Sequence, residues 1–275
     1  MRMSGVRAIM EGTPGQGSAD AFWLARREMR KAWPSYVLGA SIVSFSGAVA
    51  AVSLSWGVTE FEAAVLPNHG AEELYGAFFA DYLFLLVCAL LGANTLLIGY
   101  YSQNWRDASS SRLPFLGDLP ISAGALVGGR ALCMLFTLAL SALAFFVPVY
   151  LFSDLGEEFG TGTYLAFCGL WVGYGLLGAG LWLLLGFGVD VRAHAIASYA
   201  FAIALMVAVL VLDWTAEMSL VERTAQLARG GYGTPTSIFS ILAGGAAFVL
   251  LARATARHLR KRRPLRGVLR ANVDA

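Results

Sequence analysis

Charge is scarce in this chain. Asp, Glu, Lys and Arg make up 14% of its 275 residues, where a soluble domain of that length carries about 25%. Hydrophobic residues account for 57%, more than one water-soluble core can bury, so part of the surrounding solvent is predicted to be lipid. Histidine and cysteine are equally thin. His69, His194 and His258 lie far apart and form no ligand cluster, and Cys88, Cys133 and Cys168 all fall inside apolar runs, none at a Cys-x-x-Cys spacing. Packing as small hydrophobes is the expected role of all three cysteines. The sequence lacks Gly-x-x-x-x-Gly-Lys-Ser/Thr, His-Glu-x-x-His and Gly-x-Ser-x-Gly. It also lacks paired aspartates inside an apolar run, so no catalytic residue, metal ligand or cofactor of the chain's own is expected.

What is present is a set of long apolar runs. A membrane-crossing helix needs about 20 mainly apolar residues to span about 30 Å of hydrocarbon. Six stretches qualify: Ser35–Trp56, Ala77–Tyr101, Ala125–Leu151, Tyr164–Phe187, Ala195–Leu212 and Pro235–Ala252. The runs are continuous and do not alternate, which indicates helices and not barrel strands. Pro34 and Pro235 stand where first helical turns are expected, and a missing N–H costs nothing there.

Lys and Arg set the orientation. Arg2, Arg7, Arg26, Arg27, Arg30 and Lys31 precede the first span; Arg106, Arg112 and Arg130 flank the connection from second to third; Arg192 follows the fourth; eight more run from Arg253 to Arg270. With six spans all of these share one side, while the other side carries Arg223, Arg229 and most of the acidic residues. The asymmetry predicts a multi-pass protein of the cell membrane with both termini in the cytoplasm. The first apolar run starts late and is long for a signal-peptide core, so the first span is expected to persist in the mature protein.

The predicted organisation is thus an all-α integral membrane protein of six spans. Residues 1–18 form a flexible leader, 19–253 the transmembrane domain, and 254–275 a basic cytoplasmic tail drawn to anionic lipid rather than nucleic acid. Within the domain, 19–33 reads as an amphipathic helix in the membrane interface. Phe22, Ala25, Met29 and Trp33 form its apolar stripe, with Arg26, Arg27, Arg30 and Lys31 largely opposite. Asp81 is the main charge inside a span, and its place near the outer end predicts solvation; with Asn94 and Thr95 it is a candidate for lining a pathway. Asp213–Ser237 is expected to hold a short helix, external or partly re-entrant, ended by Gly230 and Gly231. Glycines crowd the fourth span, where Gly169 and Gly173 make a Gly-x-x-x-Gly pair that suits either internal packing or a seam between copies.

The connection from second to third span is long and unusually apolar for a loop. Arg106, Asp107 and Arg112 lead into Leu113, Pro114, Phe115, Leu116, Gly117, Asp118, Leu119, Pro120, Ile121 and Ser122, followed by Arg130. Such side chains need a surface to pack on. Six spans, an amphipathic helix before the first, and this loop ending in Leu-Pro-Ile-Ser resemble the permease subunits of type-2 ATP-binding-cassette (ABC) exporters. Asp107 is the nearest match to that family's acidic residue after the second span. The resemblance implies that 102–123 couples to a separate ABC ATPase subunit and that a second permease copy or a homologue completes the pathway. It implies too that ATP is used by the partner and not by this chain. A secondary carrier or channel would instead need a mid-membrane ionisable relay or a repeat between halves; a non-transporting scaffold or sensor subunit would accept any loop sequence.

Overall fold

The computed structural model describes residues 16–59, 70–91, 122–153, 155–188, 196–197, 199–201, 203–208, 211 and 220–262. Among the described residues six helices have defined bounds: α1 Gln16–Thr59, α2 Gly70–Leu90, α3 Ala123–Phe152, α4 Leu155–Gly188, α5 Leu220–Arg229 and α6 Gly233–Arg262. No strand occurs among the described residues. Four helices are long and apolar enough to cross a membrane: Trp33–Leu54 within α1, Ala123–Phe152, Phe159–Gly186 within α4, and Gly233–Arg260 within α6. These correspond to the first, third, fourth and sixth predicted spans. The second and fifth are represented by shorter apolar helices, Ala80–Leu90 and Tyr199–Ala208; the remainder of Ala77–Tyr101 beyond residue 91 lies outside the described residues.

The segment 19–33 is not a separate interfacial helix here. It continues directly into the first span as one 44-residue helix, with Pro34 in its interior where a helix start was expected. Pro34 removes the backbone donor that would bond to the carbonyl of Arg30, and it marks the point where a basic sequence becomes an apolar one. One face of this segment packs on protein and another stays exposed. Ala21, Leu24 and Ala25 are buried, whereas Phe22 is 62% and Trp33 55% exposed.

Two helix pairs dominate the packing, α1 with α3 and α4 with α6, and within each pair the helices run parallel. Ala21 and Leu24 of α1 sit against Gly129 of α3, the Cys133 thiol donates to the Ala25 carbonyl at 3.6 Å, and Gly47 abuts the Phe145 backbone. In the second pair Gly169 meets Ser237, Gly173 meets Ser240 and Gly244, and Gly180 meets Phe248. The Gly169/Gly173 pair therefore serves packing within the chain: a Cβ at Gly173 would strike the Ser240 carbonyl. The Ser240 hydroxyl, at 3.1 Å, donates to the Leu170 carbonyl across the same contact. Small residues let backbones approach closely where lipid leaves no hydrophobic drive for association.

Between the pairs stands α2, antiparallel to α3 and parallel to α4. Phe84 lies at its centre, fully buried, with ring centroids at 5.0 Å from Phe145, 5.8 Å from Phe167 and 5.1 Å from Trp171. Edge-on and tilted pairs of this kind add roughly 0.5–1.5 kcal/mol each beyond area burial. The helix directions place the N-termini of α1 and α3 and the C-termini of α2, α4 and α6 at one end of the bundle. Arg26, Arg27, Arg30, Arg253, Arg257 and Arg260 all belong to that end, called here the basic end.

Parallel α4 and α6 require the chain between them to return. Phe201 packs edge-on against Trp182 at 6.0 Å, near the basic end, whereas Leu220 is held at the far end by Asp81, one turn from Phe84. From the level of Trp182 to that of Phe167 is about 22 Å along α4 at 1.5 Å per residue, and the chain covers that rise between Phe201 and Leu220.

Candidate functional site

At the basic end a polar cluster ties α1 to α3. The Arg130 guanidinium pairs with the Glu28 carboxylate at 2.8 Å, with the arginine side chain 5% and the glutamate 26% exposed. The Cys133 thiol lies 3.9 Å from the same carboxylate, and the Tyr36 hydroxyl reaches that thiol. The geometry follows from helix periodicity. Glu28 falls on the same face as Ala21, Leu24 and Ala25, which faces α3, and Arg130 lies about two turns into α3, whose first turn is fixed by Ser122. The Ser122 hydroxyl accepts the Ala125 N–H at 3.0 Å, an N-cap. The ion pair thus joins the helix that leaves the connection 92–121 to the N-terminal third of α1.

The far end is organised by Asp81. Sequence alone predicted a solvated side chain; it is completely buried. Its carboxylate accepts the Leu220 N–H and, at 2.8 Å, the Val221 N–H. These are orphan donors at the start of α5, and a carboxylate there also faces the positive end of the helix dipole. The expected external helix is this one, Leu220–Arg229, followed by Gly230. It buries Val221, Ala225 and Ala228 and exposes Glu222, Arg223 and Gln226. Its last residue, Arg229, sits over the Phe159 ring at 4.4 Å, next to Gly160, whose φ of 62° breaks α4 into two segments. Only glycine takes that conformation without strain.

Of the residues singled out from sequence, Arg106 through Ile121, Asn94 and Thr95 lie outside the described residues. Ser122 is the α3 cap, and Asp81 holds α5. Arg26, Arg27 and Arg30 are exposed and Met29 is half-buried, with Arg27 stacked over Trp23 at 5.3 Å. Glu28, Tyr36 and Cys133 were not anticipated. The available signal was Glu28 itself, an acidic residue between Arg27 and Arg30 on the face that carries Ala21 and Ala25. No protein-family model matches the chain, and comparison with curated proteins and with solved structures found no match. Among the described residues the arrangement joins α3 to α1 at one end and holds a short helix at the other.

Proposed function

We propose that the chain is the membrane-spanning permease subunit of an ABC exporter. In this reading it makes six crossings of the cell membrane, with both termini in the cytoplasm, and separate ATPase subunits drive it from the cytoplasmic loop 102–123. Four apolar helices of crossing length support the membrane part of the reading. The need for a return between Phe201 and Leu220, together with the helical residues of Tyr199–Ala208, supports a fifth crossing; α2 supports the remaining one. Arginines gathered at one end favour that end as cytoplasmic.

The observation that carries the transport part is the Glu28–Arg130 pair. The loop 102–123 opens directly into α3, and α3 is locked to α1 within two turns of that opening. A push on the loop by an ATPase would be delivered to both helices as one body, while the α4–α6 pair, sealed by its own glycine contacts, would move as another. Relative motion of two such bodies about α2 is what alternating access needs. A second copy or a homologue would supply the other half of the pathway.

The test is co-purification with a candidate ABC ATPase subunit co-expressed with this chain. In mild detergent the wild type should bring down an active ATPase, and the double variant Leu119→Asp with Ile121→Asp should not, because an unpaired charge in an apolar contact costs on the order of several kcal/mol. Failure of the wild type to retain any ATPase overturns the permease reading. Equal retention by the variant overturns the assignment of the loop as the dock.

A further inference from the structure

The outer face of α6 carries a shallow, open depression that no other described helix covers. It measures about 530 Å3 and is lined by Ile241, Leu242, Gly245, Ala246, Val249, Leu250 and Arg253. Gly245 leaves its middle bare: a Cβ there would meet nothing within 4 Å. On a helix of 3.6 residues per turn, positions 242, 246, 249 and 253 share one face, and 257 and 260 extend it by two turns. Arg253, Arg257 and Arg260 are all exposed. No carboxylate pairs with any of the three among the described residues. The surface is therefore an apolar trough with an aligned file of guanidinium groups at one mouth.

Dimensions and charge together select its occupant. From Leu242 to Arg253 the trough runs about 16 Å at 1.5 Å per residue, close to half of the roughly 30 Å hydrocarbon core. That is the depth of one leaflet, with the arginines at the headgroup level of the basic end. A second copy of the chain fits poorly. A two-fold axis along the membrane normal would bring the same three arginines of each copy face to face, and like charges meeting at an interface oppose association. A phosphate-bearing headgroup reverses that sign and accepts bidentate guanidinium bonds.

We propose that this face of α6 is a binding site for one anionic phospholipid of the leaflet at the basic end. An acyl chain lies over Gly245 and Ala246, and the phosphate is held by Arg253 with Arg257 and Arg260 beside it. The site rests on the membrane-spanning part of the reading above and is independent of transport.

The probes are phosphatidylglycerol and phosphatidylcholine, offered in equal amounts to the full-length protein in mild detergent, with retained lipid counted by native mass spectrometry. The wild type should keep phosphatidylglycerol selectively. Arg253→Gln should lower its retention about fivefold, the worth of one basic residue at an anionic surface. Gly245→Leu, which fills the bare middle and leaves every charge in place, should lower it as well, and Arg223→Gln at the far end should not. Equal retention of the two lipids by the wild type overturns the site. So does full retention by Gly245→Leu, which would reduce the arginines to a diffuse basic surface. Efficient disulfide cross-linking of Gly245→Cys between copies in vesicles would assign the face to self-association instead. Release of the chain from membranes by alkaline carbonate would fail the membrane reading itself, separately from the lipid site.

Discussion

Two buried ionisable side chains, Arg130 and Asp81, carry most of the polar organisation of the described residues, and they are satisfied in different ways. Arg130 is met by a side chain that reaches water, Glu28 at 26% exposure; Asp81 is met by backbone N–H groups at a helix start. The consequences of breaking the Arg130–Glu28 pair are unequal for the same reason. Glu28→Gln takes a counter-charge from a buried cation, whereas Arg130→Met leaves behind a carboxylate that can turn to solvent. Losing one partner of a fully buried pair costs about 3–5 kcal/mol, a figure to be reduced here because Glu28 is partly exposed. Thermal unfolding in detergent should therefore show Glu28→Gln lowering the midpoint more than Arg130→Met, with the double variant closer to wild type than Glu28→Gln alone. An equal loss from the two single variants would contradict the pair's role as described. From sequence, Arg130 was legible as a basic residue at a helix start, but its partner was not. Which of the charged residues in 20–31 turns inward depends on the rotation of α1 about its axis, and that is set by contacts with α3 more than 100 residues away.

Among the elements, the four long apolar helices were readable because apolar length is a signal that needs no tertiary context. Continuity was not. The amphipathic 19–33 and the span beyond it read as two units because charge patterning changes at Pro34, yet the backbone carries through. The glycines of α4 were ambiguous for a related reason: a Gly-x-x-x-Gly pair states that something comes close without stating what. Here it is α6, and the fit leaves no room. Gly173→Val should force α6 away from α4, since its Cβ would meet the Ser240 backbone rather than a flexible side chain. Overpacking of that sort costs about 1–3 kcal/mol. Thermal unfolding should show a clear drop, and a cysteine pair placed at positions 169 and 237 should lose its cross-linking in the same variant. Retained cross-linking would mean that the seam tolerates the added volume.

For the whole molecule, helix direction adds a constraint that hydropathy alone does not supply. Parallel α1 and α3, and parallel α4 and α6, demand a return between the members of each pair. The endogenous cysteines are a help to measurement, since Cys88 and Cys133 are buried and Cys168 is partly so. With these replaced by serine, single cysteines at Arg257 and Gly231 should react with a membrane-impermeant maleimide from opposite sides of sealed vesicles. Labelling of both from the same side would remove the fifth crossing. Of the loop 102–123, the sequence supplied both the motif and the apolar side chains that call for a docking surface; what the structure adds is that α2 ends and α3 begins at the basic end.

The parallel seam between α4 and α6 has a consequence for how the chain is made. Neighbouring membrane helices joined by a short turn can pair as a hairpin soon after they leave the translocon. These two cannot, because they run parallel and the chain between them must first come back to the end where α6 starts. Until Gly233–Leu251 has emerged, Gly169, Gly173 and Gly180 present bare backbone to lipid, with no partner helix to cover it. Closure of this seam therefore waits for α6, and until then this half of the bundle keeps its most closely fitted surface open. That interval is when a membrane chaperone or a quality-control protease would meet it, and substitutions along the α6 side of the seam should act first on yield in the membrane, before any effect on the finished molecule.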